Sequence, residues 1–114
     1  MRIPNADRAT VDPAKLRDYL LSATHPIGRF KARFFTALGF APDRWEELAE
    51  ALRLQHLTQD AEPVVVPTAQ GRKHTIRAIL NGPTGQSALA VSVWFIPAGG
   101  DAPRFVTAYP GDGR

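Results

Sequence analysis

Apolar positions along the chain change their spacing once, near residue 62. Before that point they recur at helical intervals: Leu16, Tyr19 and Leu20; then Phe30, Phe34, Phe35 and Leu38; then Trp45, Leu48, Ala49 and Leu52. Asp12-Pro13 supplies a capping side chain and a proline for the first helical position, so a first helix is predicted from there to about Ser22. Thr24-His25-Pro26 breaks it, because proline disfavours the helical conformation in the residue before it. A second helix is predicted over 28–38, stopped by Gly39, with Phe40 as the hydrophobic contact of that stop. "APDRWEELAEALRLQHL" is predicted as a third, with acids in its first turns and His56 as a C-terminal cap.

After residue 62 the spacing becomes that of strands. "EPVVVPT" reads as an edge strand because of its two prolines, and "GRKHTIRAIL", "SALAVSVWFI" and "PRFVTAYP" follow. The connections "NGPTG" and "PAGGDAP" are too short for parallel crossovers. The predicted fold is therefore α+β, with three N-terminal helices packed on a four-stranded antiparallel sheet. In the third of these strands Leu89, Val91, Val93 and Phe95 are the more apolar set and are expected to face the helices, with Ala90, Ser92 and Trp94 on the other, working face. Residues 1–11 are expected as a flexible arm, 12–110 as a single domain and 111–114 as a tail.

Composition narrows the chemistry. Apolar residues make up 44% of the 114, enough for a core. With no cysteine, disulfides and thiolate metal sites are excluded. No apolar run approaches the roughly 20 residues that span a bilayer, and the N-terminus lacks the apolar block of a signal peptide, so a soluble chain acting in the cytoplasm is expected. The net charge of +3 is unevenly placed. Residues 1–62 are balanced, whereas 63–114 carry Arg72, Lys73, Arg77, Arg104 and Arg114 against Asp101 and Asp112. Between Asp18 and Asp43 there is no acid, only His25, Arg29, Lys31 and Arg33. Two acid-free basic regions point to an anionic partner such as RNA, set against ordinary solvated charge.

"KLRDYLLSATHPIGRFKARFFTALGF", "WEELAEAL" and "VWF…PRFVTAYP" together resemble an uncharacterised family of small bacterial domains, found standalone and at the C-termini of polymorphic contact-dependent toxins. Its most specific parts are the His-Pro-x-Gly-x-x-Lys-Ala block and the Val-Thr-Ala-Tyr-Pro ending. Such domains are similar to the barnase/EndoU/colicin/RelE-like ribonuclease fold. The resemblance implies metal-independent RNA cleavage, no cofactor, and an antitoxin or immunity protein as partner. A non-catalytic RNA- or protein-binding module is the other expectation.

RNA cleavage without a metal needs proton transfer and cations for the phosphorane charge. The expected catalytic set is His25, Lys31, Arg77, Thr107 and Tyr109, with Arg29, Lys73, His74 and Ser92 binding substrate. His25 is a candidate base, or else a residue that hydrogen-bonds the helix entrance. Lys31 falls inside the phenylalanine arc of the second helix, where burial would lower its pKa, unless it snorkels to an edge. Ala32 falls on the opposite side with Arg29 and Arg33. Arg77 shares a strand face with Lys73 and Thr75, and His74 shares the other with Ile76. Thr107 and Tyr109 share a face with Phe105, as phosphate and base contacts or as ordinary sheet packing. Trp94 reads as core before stacking platform. There is no metal-ligand spacing, phosphate loop or serine-hydrolase elbow.

Overall fold

The computed structural model describes residues 2–22, 24–26, 28–62 and 68–111, with the backbone alone of Phe30. Helix α1 is Pro13–Lys15 continued by a π-helical turn, Leu16–Leu20. Asp12 caps it through its side chain, which accepts from the Ala14 N–H, and Pro13 stands first. Helix α2 is Arg29–Ala37. Gly39 follows it with φ +100°, and the Phe40 N–H returns to the Phe35 carbonyl. Helix α3 is Trp45–Ala51, introduced by a short 3₁₀ turn at Pro42–Arg44 and continued by a π-helical turn, Leu52–His56. Strands β1 (Gly71–Asn81), β2 (Ser87–Pro97) and β3 (Arg104–Pro110) form an antiparallel sheet in the order β1-β2-β3.

The four-stranded expectation is corrected: among the described residues the sheet has three strands. The strand expected at 62–68 lies for the most part outside the described residues. At its ends, the Glu62 N–H donates to the Thr75 carbonyl on the outer edge of β1, and Thr68 bridges Gly71. Prolines at 63 and 67 cannot donate to a ladder. The N-terminal segment carries core residues of its own, since Ile3 and Ala9 are buried. Thr10 is hydrogen-bonded to Pro103 and Phe105 beside β3.

The expected facing of β2 is also corrected. Ala90, Trp94 and Ile96 enter the core shared with the helices, where they meet Leu16, Leu20, Phe35, Leu48 and Leu52. Ser92 lies on the same side and is fully buried. The more apolar set of Leu89, Val91, Val93 and Phe95 takes the other face. Each large side chain buried fully in such a core contributes about 1.5–3 kcal/mol, so packing carries most of the stability.

A buried polar chain explains the choice of face. The Trp94 Nε1–H donates to Ser92 Oγ at 2.9 Å, and Ser92 Oγ lies 2.7 Å from His56 Nδ1. His56 Nε2 lies 3.2 Å from the Ala78 carbonyl oxygen. A carbonyl only accepts, so Nε2 carries the histidine proton and the Ser92 hydroxyl donates to Nδ1. His56 and Ser92 are both 0% exposed. His56 is thus a core residue that ties α3 to β1 and β2, not a solvent-side cap. Ser92 is removed from any substrate.

His56 and His74 are both held below the usual histidine pKa of 6.5, chiefly by burial, with Arg72 adding to the effect at His74. In the unfolded chain these histidines take up protons as pH falls through about 6.5, while in the folded chain they resist, so acid favours unfolding. Unfolding stability measured by urea titration will therefore fall as pH is lowered from 7 towards 5. Ser92→Ala leaves the Trp94 N–H and His56 Nδ1 without partners and will cost about 1–3 kcal/mol at pH 7.

Candidate functional site

Gly28 brings the second helix close to the first. A β-carbon at this position would collide with the Tyr19 carbonyl oxygen, so only glycine allows the approach. Ala32, one turn on, is also buried, although helical periodicity puts it with the outward arginines. Just before Gly28, His25 starts the helix: its carbonyl accepts from the Arg29 N–H, and its Nδ1 accepts from the Gly28 N–H at 3.0 Å. The imidazole stands edge-on to Tyr19, with ring centroids 4.8 Å apart.

Tyr19 in turn meets Lys31. The Lys31 ammonium donates to the Tyr19 hydroxyl at 3.3 Å and to Thr107 Oγ1 at 3.0 Å, and lies 5.2 Å from the Tyr19 ring centroid. Lys31 is half-buried, with its stem on the apolar side of α2 and its charge at the rim of β3. This is the snorkelling arrangement. The hydroxyls of Tyr19 and Thr107 keep their own protons, so three donors of different elements converge.

A bulge in β3 makes Thr107 available. Trp94 pairs with Phe105 but Val93 pairs with Thr107, so Val106 is an extra residue. Ala108 therefore takes the core position that strict alternation assigns to Thr107. This corrects the expected common face of Phe105, Thr107 and Tyr109: Phe105 is core, whereas Thr107 and Tyr109 lie opposite Val93 and Val91 on the non-helical face.

Around the ammonium is a hollow of about 430 Å³ lined by Ala14, Lys15, Tyr19, Lys31, Val106 and Thr107. Among the described residues its wall has two cations and no carboxylate, which suits an anion. A separate hollow of about 330 Å³ beside α3 contains Glu47 and Glu50 and none of the expected site residues. Among the described residues, no group of three or more His, Asp or Glu side chains is placed to hold a metal ion. Among the described residues, no helix is long and apolar enough to cross a membrane.

The structure thus brings His25, Lys31 and Thr107 together through Tyr19. Lys15 and Tyr19 were not anticipated as site residues: both belong to α1, and a tyrosine on an apolar helical stripe reads as core. Their spacing of four residues, with Lys15 N-terminal, was the signal that they share a face. The other candidates lie elsewhere. Lys73, Thr75 and Arg77 share the non-helical face of β1, and Arg77 faces Glu62 at 3.5 Å. Tyr109 is two residues beyond Thr107 and 37% exposed. His74 is buried on the core face, and its Nε2 has no hydrogen-bond partner among the described residues. Arg29 is exposed at the start of α2.

The chain belongs to the family described as Domain of unknown function (DUF6883), which matches residues 2–112. No curated protein matches it. Among solved structures it is similar to a chain of the contact-dependent growth inhibition toxin–immunity protein complex from Klebsiella pneumoniae 342. That likeness has a TM-score of 0.60 at 22% identity, and covers 89% of this chain and 98% of the other. The shared feature is the fold.

Gly28→Ala tests the seam that holds His25 against Tyr19. It will lower stability by about 1–3 kcal/mol, as forced overpacking does, and will shift the His25 and Tyr19 ring resonances in NMR spectra. Unchanged ring resonances would show that the seam does not position the two side chains.

Proposed function

We propose that this domain is a metal-independent, ribonuclease-like toxin domain acting on RNA, countered by an immunity or antitoxin protein. The observation that carries the reading is the acid-free hollow in which Lys31 is joined to Tyr19 and Thr107. An RNA phosphodiester seated there meets an ammonium and two hydroxyls. These donors stabilise the negative charge that grows on phosphorus-bound oxygens as the ribose 2′-oxygen, its proton passing to solvent water, attacks phosphorus and the 5′-oxygen leaves, taking a proton from solvent. Likeness of fold to a chain of a toxin–immunity pair supports the toxin context, and the basic lining favours a nucleic-acid target.

His25 has a different role from the expected base. Its Nδ1 accepts from Gly28, so the neutral ring carries its proton on Nε2 and has no free lone pair there. In this arrangement it orients Tyr19 and starts α2. The same fact favours a second reading, a module that binds RNA at this hollow without cleaving it.

Expression without a partner will arrest bacterial growth, and Lys31→Ala will relieve the arrest. Purified protein will cleave RNA to 2′,3′-cyclic phosphate ends. Lys31→Ala will lower the rate by about 10²–10³, the usual cost of one lost transition-state donor, while circular dichroism stays unchanged. Intact tRNA, rRNA and mRNA at high protein concentration, with salt-dependent RNA binding retained, would replace cleavage by the binding reading.

A further inference from the structure

A second groove adjoins the Lys31 hollow. It has a volume of about 600 Å³ and is lined by Thr10, Asp12, Lys15, Lys73, Phe95, Arg104, Phe105 and Val106. Lys15 and Val106 belong to both walls, so the two depressions meet along the bulge of β3. The floor of the groove comes from sheet register: Lys73 pairs with Phe95, and Phe95 with Arg104. An aromatic ring therefore lies between two cations, one on each neighbouring strand.

The ring is held in place from two sides. The Arg104 guanidinium is 5.8 Å from its centroid, within cation–π range. Phe95 Cζ occupies the space that a β-carbon at Gly71 would need, so the ring leans along the sheet towards the start of β1. Phe95 is nevertheless only partly buried, and Lys73 and Arg104 are exposed. Among the described residues the charged wall consists of Lys15, Lys73 and Arg104 against the carboxylate of Asp12, whose Oδ1 already accepts from Ala14. The Lys15 ammonium is 3.4 Å from the Val106 carbonyl oxygen, at the junction of the two depressions.

We infer that this groove is a nucleotide subsite: Phe95 receives a base of single-stranded RNA by stacking, while Lys73 and Arg104 hold the phosphate next to the one at Lys31. The inference rests on the RNA reading of the Lys31 hollow and adds the substrate class, an unpaired strand. A paired base would not present its face to the ring, and single-strand binders combine such stacking platforms with cationic tracks. Stacking is tolerant of base identity, so the subsite selects for strandedness more than for sequence.

The test uses the full chain and a fluorescent, uncleavable 2′-O-methyl oligonucleotide, read by anisotropy over a salt series. Phe95→Leu keeps apolar bulk and removes the stacking face; it will weaken binding about 5- to 100-fold. Arg104→Gln will weaken binding and reduce the salt slope by about one. The same oligonucleotide in a duplex will bind more weakly than the single strand. Arg104→Gln changes an exposed side chain and decides the matter if Phe95→Leu fails to fold. If both variants bind as tightly as the parent while Lys31→Ala binds weakly, the subsite is wrong and the RNA reading of the hollow stands. If the parent binds no RNA, both fall. Equal competition by a polyglutamate peptide would overturn the nucleotide assignment, because it would show a site for any polyanion.

Discussion

The hydrogen-bonded chain from Trp94 through Ser92 and His56 to the Ala78 carbonyl decides which side of the sheet is inside. A strand as apolar as β2 can be buried on either face, and hydrophobicity alone leaves the two nearly balanced. Polar groups break the tie. Ser92 and the Trp94 indole can be buried without loss only where a partner waits, and His56 of α3 provides it. Once α3 is docked there, the opposite face carries Lys73, Thr75, Arg77, Phe95 and Tyr109 around the buried Val91 and Val93. The chemistry of that outer surface is therefore a consequence of a contact made in the core.

The site rests on three other local constraints, two at the entry to α2 and one in β3. Gly28 allows α2 to approach α1, His25 starts α2 and packs on Tyr19, and the Val106 bulge turns Thr107 out of the core. Lys31 joins these parts. Its contacts with Tyr19 and Thr107 span twelve and seventy-six residues of sequence, so the cluster exists only in the folded chain. The arrangement is rich in donors and lacks carboxylates, which suits it to holding phosphate more directly than to removing a proton.

Much of the fold was legible because its signals are local. Asp12-Pro13, Gly39 and the NGPTG turn gave element boundaries close to those observed, and the alternation of β1 correctly separated Lys73, Thr75 and Arg77 from His74 and Ile76. Two errors came from non-local effects. Summed hydrophobicity put Leu89, Val91, Val93 and Phe95 inside, because nothing near Ser92 in sequence reveals its partner thirty-six residues away. His56 did stand four residues beyond Leu52 on the apolar stripe of α3, and that spacing was the available hint. The β3 bulge could not be read from alternation, since one inserted residue reverses every face beyond it. In the site, Lys31 stood out because a charge interrupts an apolar arc, whereas Tyr19 looked like packing.

The outer margin of β3 has an effect beyond the site it borders. Thr10 occupies backbone groups of Pro103 and Phe105, Lys15 lies beside the Val106 carbonyl, and the extra residue at 106 distorts the spacing a neighbouring ladder would need. Two copies meeting along the first half of this margin would find little with which to form intermolecular strands. The features that leave Thr107 open to an ammonium thus also guard a short, apolar-cored domain against edge-to-edge aggregation.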